Sequence, residues 1–195
     1  MGRISGPLFT HSVTRINWLS QSRSKSMSAS IKSLTAVLLV ILSLPTVAGS
    51  PLFQNLGSDA FETIDAHGGQ GKWLVVMVWA SDCEICKTEV GAYKQFHQRH
   101  RETTARVLGL TLDGATGKKQ ALDFVNQHNL NFSNLIGEPE TVMSYFQILT
   151  GSPWIGTPSF LVFAPNGALM AKQVGALSPA LIEQFIADNN ATPAL

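Results

Sequence analysis

Cysteine is nearly absent from this sequence. The 195 residues contain two, Cys83 and Cys86, too few to staple a small fold together. Acidic residues are missing ahead of Asp59, where Arg3, Arg15, Arg23, Lys25 and Lys32 stand without counter-charge. No apolar run approaches the roughly 18–20 residues of a membrane-spanning helix. No basic patch points to nucleic acid: nine of the 14 Lys and Arg lie past Ser50 against all 13 Asp and Glu, a formal −4 for that part. Repeats and low-complexity tracts are also absent past Ser50.

The apolar stretch that does occur, "LTAVLLVILSL" at 34–44, follows Lys25 and Lys32 and ends at Pro45 and "TVAGS". Basic flank, short apolar core and small residues near Ala48, Gly49 and Ser50 read as a secretory signal. An uncleaved anchor and an organelle transit peptide are the alternatives, and Met27 is a candidate start. No cysteine stands directly after the run, which excludes a lipoprotein site. Residues 1–49 are therefore set apart as an N-terminal extension with a signal or anchor, and 50–195 as one domain. The expected location is periplasmic or secreted.

Within 50–195 the hydrophobic pattern alternates between two periods. A short helix is expected over 59–67, capped by Ser58 and closed by Gly68 and Gly69. "WLVVMVW", 73–79, reads as a strand buried on both faces. A helix is expected from Cys83 to about His100, a second buried strand over 105–112, and helices over 117–129 and 139–148, the latter opened by Pro139. "PSFLVF", "PNG" and "ALMAKQVG" read as a hairpin. A last helix begins at Ser178–Pro179. Strand and helix alternate first and a hairpin follows, which predicts an α/β domain whose parallel strands carry an antiparallel edge.

The chemistry lies in "VWASDCEICKTEV", 78–90. Haem attachment needs His after the second cysteine, and Lys87 stands there. Structural zinc needs four ligands, and His97 and His100 lie about 16 Å or more further along the same helix. A two-sulfur Cu(I) site remains open. Reversible pairing fits best. Residues i and i+3 at a helix start are spaced as a disulfide requires, and the unpaired N–H groups there favour a thiolate at the first cysteine. Cys83 is thus the expected nucleophile and Cys86 the resolving thiol.

"WASDCEICK" and "GTPSFLVFAPNG" resemble the thioredoxin superfamily, and within it the TlpA/ResA-like thiol-disulfide oxidoreductases, over about 56–189. The resemblance implies a thioredoxin-like fold with a central mixed sheet flanked by helices. It also implies a helical insert, here 113–150, before a strand opened by a cis proline, here Pro158. Thr157, Pro158 and Trp79 are the substrate-binding residues it suggests, Thr157 offering main-chain hydrogen bonds to an extended client and Trp79 standing in the core beside the site. Three departures stand out. Asp82 replaces the usual Trp before the first cysteine, Glu84-Ile85 replaces a proline-containing dipeptide, and Met77 occupies the place of a buried Asp. Glu89, three residues after Cys86, matches the glutamate of TlpA/ResA-like members. It reads either as the base that deprotonates Cys86 or as a solvated carboxylate suited to the helix dipole.

The expected function is dithiol/disulfide exchange with extracytoplasmic protein clients, with the protein as reductant. It needs no cofactor, acts as a monomer and receives electrons from a membrane-bound redox partner. Apocytochrome c and copper-site proteins are candidate clients. A copper-binding assembly factor is the alternative. A peroxidase on the same fold would need Thr or Ser three residues before the nucleophile, where this chain has Ala80. His67, His97, His100 and His128 are expected as surface or capping groups. Trp154 either packs or supplies an apolar rim beside Asp82. Asn131 and Asn190 head glycosylation-type triplets.

Overall fold

The structure, a computed structural model, describes residues 49–191. All but the last residue of the expected signal or anchor segment lies outside them. The strands are β1 (Phe53–Asn55), β2 (Phe61–Glu62), β3 (Trp73–Trp79), β4 (Ala105–Thr111), β5 (Asn134–Ile136), β6 (Ser159–Phe163) and β7 (Leu169–Val174); the helices are α1 (Glu84–His100), α2 (Lys118–Gln127), α3 (Pro139–Thr150) and α4 (Pro179–Ala191). They build one seven-stranded sheet in the order β2-β1-β5-β4-β3-β6-β7. β3, β4 and β5 run parallel, β6 lies antiparallel on β3, and β7 antiparallel on β6. This is a thioredoxin-like α/β fold with a mixed central sheet.

β3 organises the core. Every residue from Trp73 to Trp79 is buried, and strand alternation sends successive side chains to opposite faces. Val75, Met77 and Trp79 meet Cys86, Val90, Tyr93 and Phe96 of α1 with Phe124 of α2 and Ile182 of α4. Leu74, Val76 and Val78 meet Val142, Tyr145 and Phe146 of α3. A strand read as one continuous apolar run is therefore the wall between two hydrophobic clusters.

Two expectations change. Residues 59–67 are not one helix. Asp59 takes a positive φ of 59°, which interrupts helical geometry. Phe61–Glu62 then pairs with β1, and only Ile64–His67 form a 3₁₀ turn, capped by Thr63 rather than Ser58. The segment 113–150 is not purely helical either. Between α2 and α3 it contributes β5, which pairs parallel with β4 and antiparallel with β1. Three-residue strands such as β1 and β5 carry too few alternations to stand out in a sequence. The last helix begins as expected, with Ser178 Oγ accepting from the Ala180 N–H at 3.3 Å and Pro179 at the first helical position.

Candidate active site

The site begins where β3 ends. Three residues, Ala80 to Asp82, connect Trp79 to Cys83, and a turn closes them with the Cys83 N–H donating to the Ala80 carbonyl at 3.1 Å. Cys83 is the N-cap of α1, with extended dihedrals of −77° and 107°, and its Sγ accepts from the Cys86 N–H at 3.1 Å. A sulfur thus fills the place a Ser or Asp oxygen usually takes at a helix start. Cys83 and Cys86 form a disulfide, with Cα atoms 5.3 Å apart. The two sulfurs have unequal surroundings: Cys83 is half-buried, whereas Cys86 is fully buried against the core.

The carboxylates near the pair also differ. Asp82 is exposed. Glu84 is exposed and ion-paired with Lys87 at 2.6 Å, a partner that offsets its charge. Glu89 is partly buried on the inward side of α1. Burial raises its carboxyl above the ordinary range, and the Leu177 N–H, which it accepts at 3.3 Å, pulls the other way. Tyr93, one turn further, donates to the Leu177 carbonyl at 2.6 Å. Met77 is buried in β3 and offers no proton.

Thr157–Pro158 is a cis peptide. β6 pairs with β3 through Val78 and Ser159, so continuing that register sets Pro158 beside Trp79, where the loop to Cys83 departs. Trp79 itself is 2% exposed, donates Nε1–H to Asn134 Oδ1 at 3.2 Å and stacks on Phe124. Its ring has no surface for a client, so Trp79 keeps the core place expected of it, and the substrate-binding role does not hold. Gly109 makes room for this pair, because a Cβ there would lie 1.9 Å from Asn134 Oδ1. Trp154 packs on the cluster that faces α3. The exposed apolar groups near the motifs are instead Ile85, between the cysteines, and Ile155, two residues before Thr157; composition alone did not single them out.

Asp113 was also not anticipated. It lies past the end of β4 and accepts from the N–H and Oγ–H of Ser81, in the turn before Cys83. The four described histidines are structural. His67 pairs with Glu62 and His100 with Glu183, and His128 lies against Phe124. His97 is buried and accepts from the Val107 N–H at 3.0 Å. Among the described residues no three His, Cys, Asp or Glu stand together as a metal site, so a Cu(I) ion here would rest on the two sulfurs alone. Both glycosylation-type asparagines are engaged: Asn131 donates to Lys94 and Gln98, and Asn190 accepts from the Trp73 indole.

Comparison with known proteins agrees with this fold. No curated protein matches the sequence. The fold is similar to that of a secreted Mycobacterium tuberculosis disulfide oxidoreductase homologous to E. coli DsbE, at 20% identity and a TM-score of 0.55, covering 71% of this chain and 96% of that one. It is similar also to StoA from Bacillus subtilis, at 15% identity and a TM-score of 0.56 over 72% and 98% of the chains. A DsbF homologue from Corynebacterium diphtheriae gives 18% identity and a TM-score of 0.60 over 71% and 83%. At such identities the likeness shows the fold. The AhpC/TSA family model matches residues 50–172, the strand and helix that carry Cys83 and Cys86 and the strand behind Pro158 included, and the chain therefore belongs to the AhpC/TSA family.

Proposed function

We propose that this protein is a thiol-disulfide oxidoreductase that reduces disulfides in extracytoplasmic protein clients, in the manner of TlpA/ResA-like proteins. The observation that carries the reading is the Cys83–Cys86 disulfide at the start of α1, with one half-buried and one buried sulfur. In the reduced protein the Cys83 thiolate attacks a client disulfide. One client sulfur leaves as a thiol and the other stays bonded to Cys83. Cys86, losing its proton to Glu89, then attacks the Cys83 sulfur and releases the second client thiol. Two electrons have moved from the Cys83–Cys86 pair to the client, and a membrane-bound reductant restores them.

Several features support this sequence of events. The helix start favours a thiolate at Cys83. Glu89 lies one turn beyond Cys86, and burial raises its carboxyl, the direction that makes a carboxylate a better proton acceptor. Among the described residues nothing pairs with the Thr157 main chain, which leaves its N–H and C=O for an extended client. Ile85 and Ile155 add exposed apolar surface. Ala80 has no hydroxyl, which speaks against peroxide reduction. The extracytoplasmic setting rests on the signal-like segment at 34–44 and on the secreted protein to which the fold is similar.

A trapping experiment tests the assignment. Cys86→Ser should accumulate mixed disulfides at Cys83, and Cys83→Ser should not; the reverse pattern would overturn the roles. Direction is tested by equilibration with glutathione. A midpoint near thioredoxin's, about −270 mV, is expected, and one above about −180 mV would make the protein an oxidant or isomerase.

A further inference from the structure

We propose that Asp113 is a positioning residue for the redox pair: its carboxylate continues the β3–β4 ladder where the main chain stops, and so fixes the turn that presents Cys83. The proposal rests on the dithiol-exchange reading and adds to it the element that sets how firmly the disulfide holds.

β3 and β4 pair in parallel up to Trp79 and Thr111, and one more bond, from the Leu112 N–H to the Trp79 carbonyl at 3.2 Å, ends the ladder. The next donor on the β3 side is the Ser81 N–H, and β4, which ends at Thr111, supplies no carbonyl to it. Asp113 takes its place. Its Oδ2 and Oδ1 lie 3.1 and 3.2 Å from the Ser81 nitrogen, and Oδ1 accepts from Ser81 Oγ at 3.1 Å. The carboxylate is itself held, because Oδ2 accepts from Thr111 Oγ1 at 2.7 Å and Thr111 is fully buried.

The loop behind Asp113 is braced as well. The Gly117 N–H donates to the Asp113 carbonyl at 3.1 Å, the Gly114 N–H to the Gly137 carbonyl at 3.2 Å, and the Ala115 N–H to Glu138 Oε1 at 2.9 Å. Ser81 is thus tied to a bracket that spans β4, α2 and the start of α3. On its other side Ser81 adjoins Ala80, whose carbonyl receives the Cys83 N–H. The Ala80–Cys83 turn has few other ways to lie.

The consequence is an effective concentration. The Cys83–Cys86 disulfide and two glutathione thiols interconvert with the dithiol and one glutathione disulfide, two electrons passing in either direction. A turn pinned in the disulfide geometry keeps the reduced sulfurs close together and favours closure; a loosened turn samples other orientations and favours the dithiol. Asp113→Ala removes all the bonds to Ser81. Asp113→Asn keeps an oxygen for Ser81 and can donate to Thr111 Oγ1.

The experiment measures the equilibrium constant with glutathione for the full-length protein, beside the thermal unfolding midpoint of each variant. Asp113→Ala should shift the constant about ten-fold towards the dithiol, about 30 mV for a two-electron couple. Asp113→Asn should stay within about two-fold of the parent, and Ser81→Ala, which loses only the Oγ bond, should move about two- to three-fold in the Ala direction. A folded Asp113→Ala at the parent's constant would overturn the proposal, as would an Asn variant shifted as far as Ala, which would assign the effect to charge. Where Asp113→Ala does not fold, Ser81→Ala decides, and no shift there overturns it. A parent that equilibrates while the variants do not differ defeats the positioning role alone; a parent that never exchanges with glutathione defeats the dithiol reading and this role with it.

Discussion

The first turn of α1 and the remainder of the helix are built on opposite terms. The first turn is open, with Glu84 and Ile85 exposed and a half-buried sulfur as its cap. The remainder is clamped. Cys86, Val90, Tyr93 and Phe96 are buried, Tyr93 and Glu89 hold the carbonyl and the N–H of Leu177, and His97 holds β4. Thiol exchange needs both: a sulfur that a bulky partner can reach and a second sulfur that it cannot. The boundary falls between Cys83 and Cys86, a single helical turn.

The largest test of the clamp is His97. The Val107 N–H that it accepts points to the side of β4 on which β5 lies, as the Gly109 N–H does when it donates to Ser133. β5 pairs with β4 only from Gly109 onward, so a ring nitrogen supplies the missing acceptor. Burial first, then Arg101 and Arg106, lower the imidazole from its ordinary 6.5 to about 4. The unfolded chain therefore takes up a proton near pH 6.5 that the folded chain refuses until about pH 4. This contribution is complete above pH 6.5 and is lost as pH falls towards 4, by at most about 3 kcal/mol. Urea unfolding from pH 7.5 to 4 should show that slope, and His97→Gln, less stable at pH 7, should lack it. Parallel profiles for the two proteins would remove His97 from the clamp.

Glu89 tests the boundary itself. Glu89→Gln should slow release of the mixed disulfide by about 10²-fold, the lower range for a general base, and leave its formation nearly unchanged. In the parent the release rate should rise with pH through a midpoint above the ordinary carboxylate value of 4.5. Stopped-flow rates that fall equally in both steps would leave Glu89 in the clamp alone, with no part in the chemistry.

The smallest effect belongs to the open turn. Lys87→Ala leaves Glu84 uncompensated beside Cys83, which raises the thiol and makes the disulfide harder to reduce. An exposed pair of this kind contributes at most about 1 kcal/mol, so a shift of about two-fold in the glutathione equilibrium is expected, and 0.5 M salt should erase it. A shift that salt leaves intact would show that the turn is less open than its exposure implies.

The sequence by itself determined the buried strand of 73–79, the helix after it, the C-x-x-C pair at the junction and the cap at Ser178. Each is written in residues close along the chain, where period, spacing and capping chemistry act. The proline turn was also legible, through resemblance to a family motif. Only the tertiary structure decided the rest. β1 and β5 are too short to show a period and exist because β4 offers them an edge. Trp79 faces inward because β3 must serve two clusters at once. Lys87, Leu177 and Asp113 gained their roles from partners 3, 88 and 32 residues away. The first lies within reach of a helical spacing rule; the other two do not, because a hydrogen bond across such separations is set by which loops the sheet brings to one edge, and no local pattern encodes that.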